Sequence, residues 1–134
     1  MEEKLIRVGT TYLPVRDVEE SVDWYVRNLG AALSYQDKQK AIINLADQSF
    51  FLVKSQQGQT ANFHDENGDI QASLTFEVDG VEALTELHSE LIEKGIKTGE
   101  IEDRGHPGRN FIFNDVNGNM FDVWSELSQH FRKK

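Results

Sequence analysis

Two stretches of the sequence decide the fold: Leu13–Gly30 (LPVRDVEESVDWYVRNLG) and Phe76–Gly95 (FEVDGVEALTELHSELIEKG). In each stretch, the pattern predicts the end of an extended strand, an acidic turn, an amphipathic helix and a glycine stop. Val15 and Val18 of the first stretch recur with the same spacing as Val78 and Val81 of the second. The sequence therefore predicts two tandem copies of one supersecondary unit, which must pack together to bury their apolar faces.

Each copy is predicted to contain one strand, one helix and three further strands. The predicted strands of the first copy are Leu5–Val15, Ala32–Gln36, Lys40–Ala46 and Ser49–Ser55, and those of the second are Ile70–Val78, Lys97–Asp103, Asn110–Asp115 and Met120–Leu127. Asp17 is predicted to cap the first helix, and Asp79 or Gly80 to begin the second.

We therefore predict the α+β class, with two tandem βαβββ modules forming curved mixed sheets around a cleft and helices on the outer face. A single domain is expected to span residues 1–134, with the first module at about 1–55 and the second at about 70–127. The polar segment Gln56–Asp69 is predicted to be a linker, and Ser128–Lys134 a fraying tail.

The composition excludes several classes of function. Lys and Arg total 14 against 23 Asp and Glu, a net charge of −9, which disfavours binding to the nucleic-acid backbone. The chain has no cysteine, so thiolate catalysis and Cys-ligated zinc are excluded. No apolar run approaches the roughly 20 residues that span a bilayer, and the N-terminus MEEKLIRV has no apolar signal region. We expect no membrane partner and a cytoplasmic location.

The strand faces turned away from the helices are predicted to be polar but to carry large aromatic side chains. Period-2 alternation places on these faces Thr10, Tyr12 and Pro14 in the first module and Gln71, Ser73, Thr75, Glu77, Met120, Asp122, Trp124 and Glu126 in the second. Such a face is either in contact with solvent or curled around a ligand cleft. Tyr and Trp supply apolar area with one polar group each, as a ligand pocket requires.

Several short motifs carry a resemblance to a known family. They are Val15-Arg16-Asp17 followed by Ser21 and Trp24-Tyr25, the helix end Leu29-Gly30, the second opening Phe76-Glu77-Val78-Asp79, and the turn Phe113–Asn119 (FNDVNGN). In their order and spacing they resemble the vicinal oxygen chelate superfamily, which includes glyoxalase I, extradiol dioxygenases, and fosfomycin- and bleomycin-resistance proteins. The turn departs from the family pattern F-x-D-P-D-G-N, because valine replaces its proline.

The resemblance also indicates where a metal site would lie. In metal-using relatives the first strand of each module supplies a histidine, and those positions here are Thr10 and Ser73. A carboxylate position falls on Asp122, whereas its counterpart falls within Ser49–Ser55, which contains no carboxylate. Neutral hydroxyls are weak ligands for transition metals. We therefore predict no metal cofactor, and Asp122 is the only retained candidate ligand.

Among the four histidines, only His106 is a site candidate, because its glycine-rich loop could lie over the mouth of the cleft. The alternative is an ordinary loop without a functional role. Glu77, Asp122 and Glu126 are candidates for general acid–base groups on the cleft face. The alternative is that they form an acidic face turned to solvent or to a partner subunit.

The resemblance implies a binding function closest to the bleomycin-resistance branch, whose members lack the metal and sequester a ligand between the subunits of a homodimer. Tyr12 and Trp124 offer stacking faces, and the three carboxylates offer negative charge. The predicted ligand is therefore a small planar or cationic organic molecule, held by Thr10, Tyr12, Ser73, Thr75, Glu77, His106, Asp122, Trp124 and Glu126.

Two other functions stay open at this point. The chain could be a lyase, isomerase or dioxygenase in which Asp122, with His106 and Glu126, holds a divalent metal atypically or acts as a base. It could instead be a non-catalytic module whose sheets pair with another chain.

Overall fold

The computed structural model describes residues 1–132, without the side chains of His130 and Arg132. Two compact units make up the chain, Met1–Gln59 and Thr60–Lys134. Both units combine a helix with a mixed sheet, so the predicted α+β class is confirmed. Within the described residues, no helix is both long enough and apolar enough to cross a membrane.

The first unit contains one helix and a four-stranded sheet. Its elements are β1 (Thr10–Val15), α1 (Val18–Leu29), β2 (Ala32–Gln36), β3 (Lys40–Leu45) and β4 (Gln48–Lys54). The strand order is β1-β4-β3-β2, with β1 parallel to β4 and the other pairs antiparallel. This is the predicted βαβββ arrangement.

Local chemistry sets the two ends of α1. The Asp17 side chain accepts a hydrogen bond of 2.8 Å from the Glu20 backbone N–H, which satisfies one of the free donors of the first turn. Gly30 ends the helix at φ 73°, a left-handed conformation that favours glycine. Between them, α1 buries Val18, Val22 and Tyr25, and the sheet contributes Leu13, Val15, Ala41, Ile43, Phe50 and Leu52 to the core.

The second unit contains a hairpin, a long helix and a three-stranded sheet. Its elements are β5 (Phe63–His64), β6 (Ile70–Gln71), β7 (Thr75–Glu77), α2 (Val81–Glu93), β8 (Asn110–Asn114), β9 (Met120–Trp124) and α3 (Gln129–Arg132). The sheet order is β7-β9-β8, and in the described part of the chain β5 pairs only with β6. Its core consists of Leu84, Leu91, Ile96, Phe111, Phe113, Phe121 and Val123.

One predicted strand of the second module is irregular. The segment predicted as strand 97–103 makes only isolated bridges to β8, at Thr98–Phe113 and Glu102–Asn110. The two bridges are four residues apart in the segment 97–103, from Thr98 to Glu102, but three residues apart in β8, from Phe113 to Asn110. The register therefore shifts by one residue, and a continuous ladder cannot form. The backbone still bonds to the sheet, since Gly99 N–H donates to the Ile112 carbonyl at 2.7 Å.

Other element boundaries also differ from the prediction. The first strand begins at Thr10 rather than Leu5, and the predicted strand 70–78 is divided into β6 and β7. Part of the predicted tail, residues 129–132, forms α3, while residues 133–134 lie outside the described part of the chain.

The motif FNDVNGN forms the tight turn between β8 and β9. Asp115 Oδ1 accepts from the backbone N–H groups of Asn117 and Asn119 at 2.8 and 2.9 Å, and the Asn119 amide donates to Asp115 Oδ2 at 2.8 Å. Asn119 Oδ1 in turn accepts from the Ala61 backbone N–H at 2.8 Å. Ala61, in the middle of the predicted linker, is therefore hydrogen-bonded to this turn, and the motif has a structural role.

Candidate functional site

A cavity of about 740 Å³ lies in the second unit. Five of the predicted site residues line it, namely Thr75, His106, Asp122, Trp124 and Glu126. The other lining residues are Arg104, Pro107, Asn110, Leu127, Ser128 and Gln129. Its volume is in the range of small-molecule sites, roughly 300–1,000 Å³.

Strand alternation brings the predicted residues to this cavity. β7 runs parallel to β9, and the register pairs Thr75 with Asp122. The intervening residues of β9, Phe121 and Val123, are buried in the core of the unit. Asp122 and Trp124 therefore lie on the other face of the strand, where the cavity is.

Asp122 is held by two donors from the same unit. Its Oδ2 accepts from Arg104 Nη1 and from Asn110 Nδ2, each at 3.1 Å. Arg104 also donates to Glu102 Oε1 at 2.7 and 2.9 Å. Partial burial lowers the pKa of Arg104, but the bonds to Glu102 and Asp122 outweigh it, so the net pKa is raised and the guanidinium stays charged. One guanidinium therefore pairs with two carboxylates, and the charge of Asp122 is compensated in part.

Two buried oxygen atoms beside this ion pair have no hydrogen-bond partner among the described residues: Asn110 Oδ1 and Asp122 Oδ1. Asn110 is 4% exposed, and the side chain of Asp122 is 15% exposed. Leaving a buried acceptor unpaired costs about 1–3 kcal/mol. Both residues line the cavity, so a bound molecule with hydrogen-bond donors is one partner that could satisfy these oxygen atoms.

The loop before β8 holds Trp124 in place. The indole Nε1 donates to the Pro107 carbonyl at 3.0 Å, and the His106 ring meets the indole edge-on with centroids 5.8 Å apart. His106 Nδ1 lies 2.9 Å from the same carbonyl oxygen. The orientation of Trp124 is therefore set by the protein before any ligand arrives.

Two predicted site residues of the second unit lie outside the lining of this cavity. Glu77 accepts a hydrogen bond of 2.8 Å from the backbone N–H of Ser128, so it positions the segment that follows β9. The Ser73 hydroxyl donates to the Ala61 carbonyl at 2.9 Å. Both have structural contacts, and a ligand role for them stays a prediction.

The first unit carries the remaining predicted residues, Thr10 and Tyr12, on β1. Tyr12 is exposed, and its ring lies 4.9 Å from that of Phe51. Phe51 is the cross-strand partner of Ile42 on β3, and Ile42 is the partner of Tyr35 on β2. Ligand contact at Thr10 and Tyr12 stays a prediction.

Sequence reasoning missed Arg104 and Asn110 as site residues. Arg104 precedes His106 in the same loop, and Asn110 begins β8, so both were next to residues already considered. Their role depends on contacts with Asp122, which lies 18 and 12 residues away. No local pattern reports contacts of that kind.

The donor set does not fit a resident divalent metal. Among the side chains that the structure describes, there is no group of three or more His, Cys, Asp or Glu that could hold an ion. Asp122, the retained carboxylate, is paired with a guanidinium, which opposes a second cation at the same oxygen atoms.

Comparison with known proteins gives a family and a fold. Residues 7–123 match the family model described as the Glyoxalase/Bleomycin resistance protein/Dioxygenase superfamily. No curated protein matches the sequence significantly.

Several solved structures share the fold at low sequence identity. A lactoylglutathione lyase from Agrobacterium tumefaciens is 15% identical with a TM-score of 0.72, covering 91% of this chain and 95% of its own. A domain of the same superfamily from Frankia sp. EAN1pec is 21% identical with a TM-score of 0.72, covering 92% and 100%. The fosfomycin resistance protein FosX from Listeria monocytogenes, in complex with Mn(II) and sulfate, is 15% identical with a TM-score of 0.72, covering 99% and 98%.

Proposed function

The chain belongs to the glyoxalase/bleomycin resistance protein/dioxygenase superfamily, and from that premise we propose that it binds a small planar organic molecule in the cavity of its second unit. The observation that carries this proposal is the oriented indole of Trp124 in a cavity of about 740 Å³. An aromatic face that is already positioned loses little conformational entropy when a ring stacks on it.

The charges at the cavity favour a planar ligand over a strongly cationic one. Asp122 is paired with Arg104, so one of the carboxylates predicted to attract a cation is already compensated in part. Glu126 still lines the cavity and adds negative charge. The stacking surface, rather than charge attraction, therefore supplies the main contact.

The geometry supports binding more than catalysis. The positioned indole of Trp124 is a binding surface, whereas Oδ2 of Asp122 is already bonded to Arg104 and Asn110. The members described as lyase and as a Mn(II) complex share only the fold with this chain at 15% identity. No observation favours the enzymatic alternative over the binding function.

We further propose that the chain forms a homodimer, as the resemblance to the bleomycin-resistance branch implies. Leu5, Ile6 and Val8 precede β1 and are 86%, 92% and 71% exposed. Three apolar side chains within four residues at this level of exposure favour a covering partner, and a second copy of the chain is the partner that the resemblance implies.

The binding proposal is tested by fluorescence titration in a Trp24→Phe background, where Trp124 is the remaining one of the two tryptophans. We expect at least one member of a panel of planar bicyclic heteroaromatic compounds to quench Trp124 with saturation. Trp124→Leu should then weaken binding at least tenfold by calorimetry, about 1.4 kcal/mol.

The matched control is Ile92→Ala, an exposed apolar residue of α2 that does not line the cavity. It should leave the affinity unchanged. Absence of saturable quenching by every compound, or equal affinity in the Trp124→Leu variant, would overturn the proposed function.

A further inference from the structure

We infer that the ligand of this cavity is uncharged and presents N–H donors, as a primary carboxamide or an amino-substituted heteroaromatic ring does. The inference rests on the proposed binding function and specifies its ligand class. It is drawn from the two unpartnered acceptor oxygens, Asn110 Oδ1 and Asp122 Oδ1, and from their position beside Trp124.

The network determines which atom of Asn110 is the acceptor. Its Nδ2 donates to Asp122 Oδ2 at 3.1 Å. Exchanging the amide oxygen and nitrogen would bring two oxygen atoms together and lose this bond. Asn110 therefore offers an oxygen to any further partner, and that oxygen is the one without a partner.

Asp122 offers a second acceptor of the same kind. Both of its donors, Arg104 Nη1 and Asn110 Nδ2, bond to Oδ2, so Oδ1 is left unpaired. A carboxylate oxygen and an amide oxygen both require a donor. A ligand group with two N–H bonds, such as a carboxamide NH2, can supply both.

Strand register places these acceptors next to the stacking surface. Asn110 on β8 is the cross-strand partner of Trp124 on β9, and Asp122 lies two residues before Trp124 on the same face. Cross-strand partners have Cβ atoms about 5 Å apart. A ring stacked on the indole therefore carries its edge substituent within reach of the two acceptors.

Arg104 argues against a positively charged donor. Its Nη1 lies 3.1 Å from Asp122 Oδ2. A cationic ligand at Oδ1 of the same carboxylate would lie close to the guanidinium and be repelled. A neutral N–H donor satisfies the two acceptors without this repulsion, which distinguishes it from an amidinium or an ammonium group.

The test is isothermal titration of the full-length chain with three probes that share one ring: 2-naphthamide, methyl 2-naphthoate and 2-naphthamidine. The amide and the ester are close in shape, but only the amide has N–H donors, and the amidine is cationic. We expect the amide to bind at least tenfold more tightly than the ester and no more weakly than the amidine.

The matched variant is Asn110→Leu, which keeps the approximate volume and removes the acceptor. The ratio of amide to ester affinity should fall severalfold, because Asp122 Oδ1 is then the one proposed acceptor that is left. The ester itself should keep its affinity, which also reports that the variant is folded. Asp122→Asn is the second variant. Its oxygen would stay with the Arg104 and Asn110 donors, so its amide nitrogen would replace the unpaired Oδ1, and the preference for the amide over the ester should fall.

The outcomes separate the inference from the proposed function. If the ester binds as tightly as the amide and Trp124→Leu weakens both, the donor requirement is wrong and the binding function stands. Tighter binding of the amidine than of the amide would overturn the inference that the ligand is uncharged. If none of the three probes binds, the inference is overturned, and the heteroaromatic panel decides the proposed function separately.

Discussion

At the scale of single residues, Gly108 brings its loop close to the cavity residues. It adopts φ +84°, and a Cβ atom at this position would lie 2.6 Å from Ser125 Oγ and 3.0 Å from Trp124 Nε1. Ser125 is buried, and its Oγ accepts from the Arg109 backbone N–H at 2.8 Å. Glycine is needed here both for the backbone conformation and for the close approach.

We predict that Gly108→Ala destabilises the protein by about 3 kcal/mol. A left-handed alanine costs about 1–2 kcal/mol, and the contact with Ser125 and Trp124 adds about 1–3 kcal/mol of overpacking. Urea denaturation followed by circular dichroism measures the change in the free energy of unfolding.

The control for this prediction is Gly105→Ala in the same loop. Gly105 has φ +86°, but a Cβ atom there would meet nothing within 4 Å. We expect a loss of only about 1 kcal/mol from backbone strain. Equal losses in the two variants would show that the packing around Gly108 is looser than described.

At the scale of elements, the turn between β2 and β3 depends on one exposed carboxylate. Asp37 Oδ1 accepts from the backbone N–H groups of Gln39 and Lys40 at 2.8 and 2.9 Å, and Oδ2 accepts from the Tyr35 hydroxyl at 2.8 Å. The Gln39 backbone bond, followed by the Tyr35 bond, holds the pKa of Asp37 well below its usual range.

This lowered pKa predicts an acid-dependent loss of stability. Because the folded pKa lies below the unfolded value of about 3.9, the stabilisation is present above that pH and is lost as the pH falls toward the folded pKa. We predict that wild type exceeds Asp37→Asn in urea midpoint at pH 6, and that the difference shrinks steadily between about pH 4 and pH 2.

Asp23→Asn is the matched control, since Asp23 pairs with Arg27 on the exposed surface of α1 without bonding to a turn. It should alter the midpoint little at any pH, as exposed ion pairs contribute about 0–1 kcal/mol. A difference between wild type and Asp37→Asn that does not vary with pH would contradict the charged role of Asp37.

At the scale of the whole molecule, the predicted homodimer can be measured directly. We expect light scattering after size exclusion to give twice the chain mass of 15.3 kDa. Ile6→Glu, which places a charge in the exposed apolar N-terminal segment, should shift the mass toward the monomer. A monomer of wild type at about 100 µM would contradict the proposed assembly.

The polar control for this measurement is Glu3→Gln, which lies in the same segment but carries no apolar surface. It should leave the mass unchanged. If both variants are as dimeric as wild type, another surface forms the dimer.

The sequence predicted much of the fold from local chemistry. Asp17 and Gly30 bound the first helix where its pattern indicated, because caps act on neighbouring backbone groups. The prediction of a strand at 97–103 was only partly right, because the one-residue register shift of this segment depends on its pairing with β8. The single domain and the cleft shared by the two modules stay predictions.

In the candidate site too, some residues were predicted from local sequence patterns and others were found only in the tertiary structure. Alternation along β9 predicted that Asp122 and Trp124 share a face, because side-chain direction in a strand follows residue number. Arg104, Asn110 and the unpaired oxygen atoms beside Trp124 came only from the tertiary structure. Their hydrogen bonds join residues distant in sequence, and no local pattern encodes which donor reaches which oxygen. The amino-acid sequence by itself therefore determined the two modules and the aromatic strand face, whereas the packing of loop against sheet decided the chemistry of the cavity.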